Sequence, residues 1–181
     1  KFIIFFGGVL GPSQGLDLII DAAKEIQDFK DIVILLMGDG TEKERLATRV
    51  QQENLKNIIF HPFISKDEYG RLLKEMDVGL VCLTSKNKTP VVPGKILGYM
   101  AAGIPVLAFL NKESDGHHII RKASCGYSDI SDDYLKVIKL IIKMYNERTK
   151  LKEWGYNGYQ YASCNFSKQV CVDKLEAMLN L

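Results

Sequence analysis

Residues 91–106 read Val-Val-Pro-Gly-Lys-Ile-Leu-Gly-Tyr-Met-Ala-Ala-Gly-Ile-Pro-Val, and the expected fold can be worked outward from them. The stretch predicts a short helix beginning near Pro93, because proline is tolerated in a first turn whose N–H groups need no helical partner. Gly103 ends that helix, and an extended run follows it. Lys95 comes directly after Gly94, beside the free N–H groups of the first turn. A helix N-terminus with a glycine and a lysine favours an anion, although an ordinary loop–helix–strand passage would show the same pattern.

The composition is that of a globular domain without a strongly charged partner. The chain has 181 residues, of which 46% are hydrophobic and 25% charged, and its net charge is +2. This charge is too small to predict a nucleic-acid partner. The four cysteines (Cys82, Cys125, Cys164 and Cys171) form no Cys-x-x-Cys pair, so reduced thiols and a cytoplasmic location are expected. No apolar run in the sequence reaches the roughly 18 residues that span a bilayer.

Apolar strands alternate with helices along the chain. Five runs are predicted to be buried strands: Phe2–Phe6, Ile32–Met37, Asn57–Phe60, Val78–Leu83 and Pro105–Leu110. Helices are expected between them, one of which starts with a capping box at Ser65 and Glu68. Gly126–Ile130 is predicted as a turn or short strand, Ser131 with Asp132 and Asp133 as the cap of a helix through about Tyr145, and Glu147–Leu181 as helical. The predicted fold class is therefore α/β, a doubly wound parallel sheet with C-terminal helices.

Five polar or glycine-containing loops are predicted to share one edge of this sheet. They contain Gly8, Asp39, Phe63, Thr84 and Lys95, and each follows a predicted strand. Ligands of open parallel sheets bind at the carboxyl ends of the strands. This edge is therefore the predicted ligand site, with Lys95 and its helix N-terminus as the anion-binding part.

Several segments resemble the C-terminal, donor-binding half of glycosyltransferase family 4 enzymes, which have the two-domain GT-B architecture. The similarity is greatest at Tyr99–Val106. It extends to Gln14-Gly15 with the helix after them, to the strand that ends in Gly38-Asp39-Gly40, to Asn57–Ser65 and to Met76–Leu80. The chain is most similar to the subgroup that makes bacterial surface polysaccharides of the colanic-acid and O-antigen kind. Members of that subgroup have Pro-Ser-Lys where this chain has Pro93-Gly94-Lys95.

This resemblance implies a Rossmann-like half of a GT-B fold, with residues 1–181 forming a single nucleotide-sugar donor-binding domain. The N-terminal acceptor domain would lie outside the chain, so the chain alone is expected to bind nucleotide weakly and to transfer nothing. The implied activity is a retaining transfer of a hexose or N-acetylhexosamine from a nucleotide-diphosphate sugar, with UDP expected. The acceptor would be a saccharide or a lipid-linked sugar. The enzyme would be cytoplasmic and would touch the inner membrane face only through the other domain.

The residues expected to bind the donor are Gly8, Gln14, Gly15, Asp39, Phe63, Ile64, Thr84, Pro93, Gly94, Lys95 and Gly98. No catalytic residue can be assigned. No cofactor and no metal are expected, because no Asp-x-Asp pair lies near the strand ends and positive charge can come from Lys95 and the helix dipole.

The chain departs from the family at four aligned positions. Pro90 and Gly98 stand where the family has two glutamates, and Val9 and Gln14 stand where it has an arginine and a lysine. The charge that stabilises a diphosphate leaving group would then come from Lys95, helped by Lys86 or Lys88 in the preceding loop. Two alternatives remain at this point: a non-catalytic nucleotide-binding or interaction module, and a sugar-nucleotide epimerase of the same architecture. An epimerase needs carboxylates placed for proton transfer, and the predicted edge has few.

Overall fold

A single parallel sheet forms the centre of the molecule in the computed structural model, which describes residues 1–179. Its strands are β1 (Phe2–Gly7), β2 (Ile32–Met37), β3 (Ile58–His61), β4 (Val78–Cys82), β5 (Val106–Leu110) and β6 (Gly126–Ile130). They lie in the order β3-β2-β1-β4-β5-β6, and every neighbouring pair is parallel. The α/β class predicted from the alternating apolar runs is confirmed.

The helices cover both faces of this sheet. They are α1 (Asp17–Glu25), α2 (Lys43–Gln52), α3 (Lys66–Leu73), α4 (Gly94–Ala101), α5 (Gly116–Ala123), α6 (Tyr134–Asn146), α7 (Leu151–Phe166) and α8 (Lys168–Leu179), with short 3₁₀ turns at Pro12–Gln14 and Arg148–Lys150. One apolar cluster contains buried residues of α1, α2 and α6, for example Ile20, Leu46 and Ile141. The other contains buried residues of α3, α4, α5 and α7, for example Tyr99 and Ile120. Strand residues alternate between the two clusters, so the sheet is doubly wound as expected.

The sheet has six strands where five were predicted. Gly126–Ile130, left open as a turn or short strand, pairs with β5 over its whole length, from Val106 opposite Gly126 to Leu110 opposite Ile130. All five residues of β6 are half-buried, because β6 is the last strand at its side of the sheet. An edge strand of this kind needs no continuous apolar run, which is why its sequence is ambiguous.

The helix caps were predicted with mixed success. The capping box at Ser65 and Glu68 is present, with each residue accepting the backbone N–H of the other. The assignment of Ser131 as a helix cap is wrong. Its backbone N–H donates to Leu110 O at 2.9 Å and so extends the β6 ladder. Of the three residues predicted to cap α6, Asp133 is the N-cap, and its Oδ1 accepts from Leu135 N at 2.8 Å.

The C-terminal helices carry an apolar stripe that is largely exposed. Of its members on α8, Leu175, Met178 and Leu179 are 56%, 81% and 57% exposed. Helix α7 contains four aromatic residues close together in sequence, Trp154, Tyr156, Tyr159 and Tyr161. Of these, Trp154 packs edge-to-face on Tyr127 with ring centroids 5.2 Å apart. In residues 1–179, helix length and hydropathy together give no segment able to cross a bilayer.

Candidate functional site

The strand order reverses between β1 and β4, and the carboxyl ends of these two strands bring three of the predicted residues into contact. Lys95 Nζ donates a hydrogen bond to Gln14 Oε1 at 2.9 Å, although the two residues are 81 positions apart. Gly8, directly after β1, lies under the lysine: a Cβ built on Gly8 would be 2.9 Å from Lys95 Cε. Gly8 also has φ +142°, which side-chain-bearing residues rarely adopt. This close approach therefore requires glycine at position 8.

Lys95 is a half-buried cation without an acidic partner. Its Nζ lies 4.8 Å from the centroid of the Phe6 ring, a cation–π contact. Within the described part of the chain, no carboxylate forms an ion pair with it. Burial lowers the pKa of Lys95, because the charged ammonium is poorly hydrated there. An anion would compensate for the lost hydration.

The N-terminus of α4 lies in the same place. Pro93 is the N-cap, with φ −60° and ψ 127°, and its carbonyl accepts from Ile96 N at 3.0 Å. The helix therefore begins at Gly94, at the predicted start Pro93-Gly94. The N–H groups of Gly94 and Lys95 come before Ile96 N, the donor of that bond, so they and the helix dipole favour an anion beside the ammonium.

Tyr99 holds α4 against β1. Its hydroxyl accepts from Gly7 N at 3.2 Å and donates to Phe5 O at 3.3 Å, and the ring is buried. Burial raises the pKa of this phenol, which keeps the hydroxyl protonated and able to donate. Tyr99 begins the stretch with the greatest similarity to the family, but no role for it was predicted from the sequence. An aromatic residue on the buried face of the predicted helix was the available signal.

Gly15 and Thr84 shape the two loops that meet at the site. Gly15 has φ +60°, and a Cβ on it would lie 3.2 Å from Thr84 Cα. Thr84 N donates to Ser13 O at 2.9 Å, and Thr84 Oγ1 lies 3.4 Å from Lys86 N. Both residues therefore lie where the loop after β1 contacts the loop after β4.

Asp39, Phe63 and Ile64 lie on the loops after β2 and β3, farther along the same edge. Asp39 accepts from Gly40 N at 2.8 Å and pairs with Lys43 at 3.3 Å, and the hydrogen bond from Gly40 is the main cause that lowers the pKa of its carboxyl. Phe63 is 58% exposed, whereas Ile64 packs on the apolar cluster of α3 and α4. Asp39 thus stabilises its own turn, and Phe63 offers a free aromatic face.

Gly94 and Gly98 leave one face of α4 open. Both are exposed, they lie one helical turn apart, and a Cβ on either would have no atom within 4 Å. Lys86 and Lys88, the alternative phosphate-binding lysines, are exposed on the loop before α4.

Two further findings concern regions outside this edge site. A groove of about 600 Å³ runs along β6, lined among others by His117, Arg121 and Trp154, but it shares no lining residue with the Lys95 site. Residues 1–179 contain no group of three His, Cys, Asp or Glu side chains placed to hold a metal ion.

The chain is similar to known proteins both in sequence and in fold. The chain is 35% identical over 103 residues to WcaI of Escherichia coli, which is named as a colanic acid biosynthesis glycosyl transferase, and the match covers 57% of this chain and 25% of WcaI. Anabaena HepE, solved in complex with UDP-glucose, has a TM-score of 0.78 at 19% identity over 100% of this chain and 49% of HepE. The C-terminal domain of LpcC, a glycosyl transferase group 1 family protein of Francisella tularensis, has a TM-score of 0.76 at 21% identity, covering 93% of this chain and 88% of that domain.

The chain thus spans a quarter of WcaI and about half of HepE. The two structural likenesses show a shared fold, and the WcaI match confirms the predicted similarity to a bacterial polysaccharide enzyme. The family model described as glycosyl transferases group 1 matches residues 1–161. Because that model matches nearly the whole chain and the structural neighbours share its sheet, the chain belongs to the family of glycosyl transferases group 1.

Proposed function

We propose that residues 1–181 form the donor-binding half of a retaining glycosyltransferase that moves a sugar from a UDP-sugar to a saccharide or lipid-linked acceptor. The observation that carries the proposal is the half-buried Lys95 ammonium beside the N-terminus of α4, where the strand order reverses between β1 and β4. Retention and transfer of a hexose or N-acetylhexosamine are proposed from the resemblance alone. UDP is favoured because the neighbour HepE was solved with UDP-glucose.

The residues present can stabilise the leaving group without a metal. When the bond between the anomeric carbon and the phosphate oxygen breaks, its electron pair stays on the departing diphosphate. Lys95 Nζ donates to that oxygen and the N–H groups of Gly94 and Lys95 bind the phosphates, so negative charge develops where positive charge is already fixed. Gln14 keeps the ammonium in place and adds an amide donor of its own.

The acceptor is proposed to bind to a domain outside residues 1–181, since the chain spans a quarter of WcaI. That domain would also supply any contact with the membrane. The chain alone would then bind the donor without transferring its sugar, in a cytoplasmic setting.

Calorimetric titration with UDP, a UDP-sugar and a GDP-sugar tests the donor site. We expect UDP ligands to bind at millimolar concentration or below, and Lys95→Met to weaken that binding. If none of the three binds at millimolar concentration, the proposal fails. With the natural full-length protein, UDP release that requires an acceptor supports a transferase, isomerisation of the donor without transfer would show the epimerase, and binding without either reaction would show a non-catalytic module.

A further inference from the structure

The loop that connects β4 to α4 carries the N-cap of the proposed phosphate-binding helix. This loop, residues 84–93, is here called the strap. It makes short-range hydrogen bonds of its own, such as Val91 N to Thr89 O at 2.8 Å and Asn87 N to Thr84 O at 3.2 Å. Bonds of this range shape a loop but do not fix where it lies on the protein. Because Tyr99 already holds α4 against β1, contacts that hold the strap from outside act on the N-cap Pro93 and on the free N–H groups of the first turn.

Two buried side chains from the turn after β5 hold the strap. Asn111 is fully buried, and its Nδ2 donates to Thr89 O at 3.0 Å. Ser114 is 5% exposed, and its Oγ donates to Val91 O at 2.6 Å. Both acceptors are backbone carbonyls of the strap, so the two bonds attach its second half to the turn.

The turn itself is fixed independently of the strap. Ser114 Oγ also accepts from Gly116 N at 3.2 Å, which ties it to the first turn of α5. A Cβ on Gly116 would lie 2.7 Å from Ile96 Cδ1, so α5 packs closely on α4. The carbonyl of Asn111 lies 3.2 Å from Nε2 of His117, which is also in the first turn of α5. The second half of the strap is thus hydrogen-bonded to the turn where β5, α5 and α4 pack together.

We propose that Asn111 and Ser114 are positioning residues of the donor site, which hold the strap so that Pro93, Gly94 and Lys95 are presented to the diphosphate. This inference rests on the proposed function. A strap without its two anchors would have to be ordered when the nucleotide binds, and that entropy would be lost from the affinity. Asn111 and Ser114 act through the strap and need not touch the nucleotide.

The chain offers a matched control for Asn111. Asn57 is also a buried asparagine, 6% exposed, and its Nδ2 also donates to a distant backbone carbonyl, Ala23 O at 2.7 Å. Among the described residues, the Oδ1 atoms of Asn57 and Asn111 both lack a hydrogen-bond partner. Asn57 directly precedes β3, at the amino end of the sheet and away from the strap. Asn111 Nδ2 also donates to Glu113 Oε2 at 3.3 Å. The two alanine variants therefore lose the same kind of bond to a distant backbone carbonyl in different places, and Asn111→Ala loses this local bond to Glu113 as well.

Asn111→Ala and Asn57→Ala would be compared by their dissociation constants for UDP and by their melting temperatures. Both variants should melt at lower temperature, but only Asn111→Ala should weaken UDP binding, by about five- to tenfold, as expected for the loss of one ordering hydrogen bond. Hydrogen exchange of the amides in residues 84–95 should become faster in Asn111→Ala and stay unchanged in Asn57→Ala. Ser114→Ala should behave like Asn111→Ala, and it serves as the test if Asn111→Ala does not fold.

A double variant that combines Asn111→Ala with Lys95→Met tests whether Asn111 affects UDP affinity through Lys95. If Asn111 positions Lys95, removing Asn111 should cost less affinity when the ammonium is already gone. Full additivity, or equal UDP affinity of the Asn111→Ala and Asn57→Ala proteins, would overturn the inference while leaving the proposed function standing. Failure of the unsubstituted protein to bind UDP would overturn both.

Discussion

Replacing Lys95 with methionine removes the ammonium and keeps most of the side-chain length. A hydrogen bond to a charged group contributes about 1.5–3 kcal/mol, and about 1.4 kcal/mol corresponds to a factor of ten in affinity. We therefore expect Lys95→Met to weaken UDP binding about ten- to hundredfold. Charge attraction across 4 Å at the effective dielectric constant of a protein surface, about 4 kcal/mol, sets the upper limit.

The same substitution should have the opposite effect on the empty protein. Burial lowers the pKa of Lys95, which means that the folded state disfavours its charged form. Methionine removes this cost and can keep the contact with the Phe6 ring, since thioether sulfur packs well on aromatic rings. Lys95→Met should therefore unfold at the same or a higher temperature than the unsubstituted chain when no nucleotide is present.

The pH dependence follows from the direction of that shift. Between the lowered pKa and the ordinary value of 10.5, the unfolded chain still holds the proton that the folded chain has lost. The unfolded state then binds more protons, so the contribution of Lys95 to the free energy of unfolding rises with pH in this window. UDP affinity should fall over the same window, because the deprotonated amine no longer offsets the phosphate charge.

Calorimetry in buffers of stepped pH measures the affinity, and thermal melting measures the stability. Lys122→Met is the matched control, since it removes one positive charge from an exposed position in the last turn of α5. Equal UDP affinity of the Lys95→Met and Lys122→Met proteins would refute the assignment of Lys95 to the phosphates. A Lys95→Met protein clearly less stable than the unsubstituted chain would refute the account of its burial.

Three other substitutions test different parts of the structure. Tyr99→Phe removes both hydrogen bonds between α4 and β1 and should lower the free energy of unfolding by about 1–3 kcal/mol in urea titrations; an unchanged midpoint would contradict the role given to its hydroxyl. Gly98→Glu restores the family carboxylate on the open face of α4, so it should keep or raise the melting temperature and, unlike Gly98→Gln, tighten UDP binding; weaker binding than in the glutamine variant would show that no ribose contact forms. The hydrogen bond from Arg45 is the main cause that lowers the pKa of Asp17 below 3.8, so its stabilisation is present above that value and lost as pH falls through the lowered pKa. Stability measured at decreasing pH should fall less steeply for Asp17→Asn than for the unsubstituted chain, and parallel curves would exclude the ion pair as a cause.

The strands in the middle of the sheet could be predicted because burial on both faces leaves a visible pattern. The bounds of β2 match the apolar run Ile32–Met37, and the Ser65 capping box is a local signal read within one turn. β6 was ambiguous, since a half-buried edge strand needs no apolar run. Ser131 was misassigned because a serine suits a helix cap, while its actual role depends on pairing with β5.

The position of these loops at one edge of the sheet could be predicted from topology, but the contacts between them could not. Parallel strands place their carboxyl ends together whatever their loops contain, so Gly8, Thr84 and Lys95 were expected near one another. That Gln14 binds Lys95, or that Asn111 binds the strap, depends on three-dimensional packing between residues 81 and 22 positions apart. Helical or strand periodicity carries no information at such separations.

The central pairing of β1 with β4 has a consequence for the kinetics of folding. The other strand pairs join strands that follow one another in the chain, whereas this pairing places Ile4 opposite Val78. Contacts between such distant residues must overcome the entropy of closing a long loop, so they form late. Lys95 and Gln14 face each other across this pairing and meet only once it has closed. A ligand bound by both residues would stabilise the folded chain across this pairing, so the protein should unfold more slowly when the site is occupied.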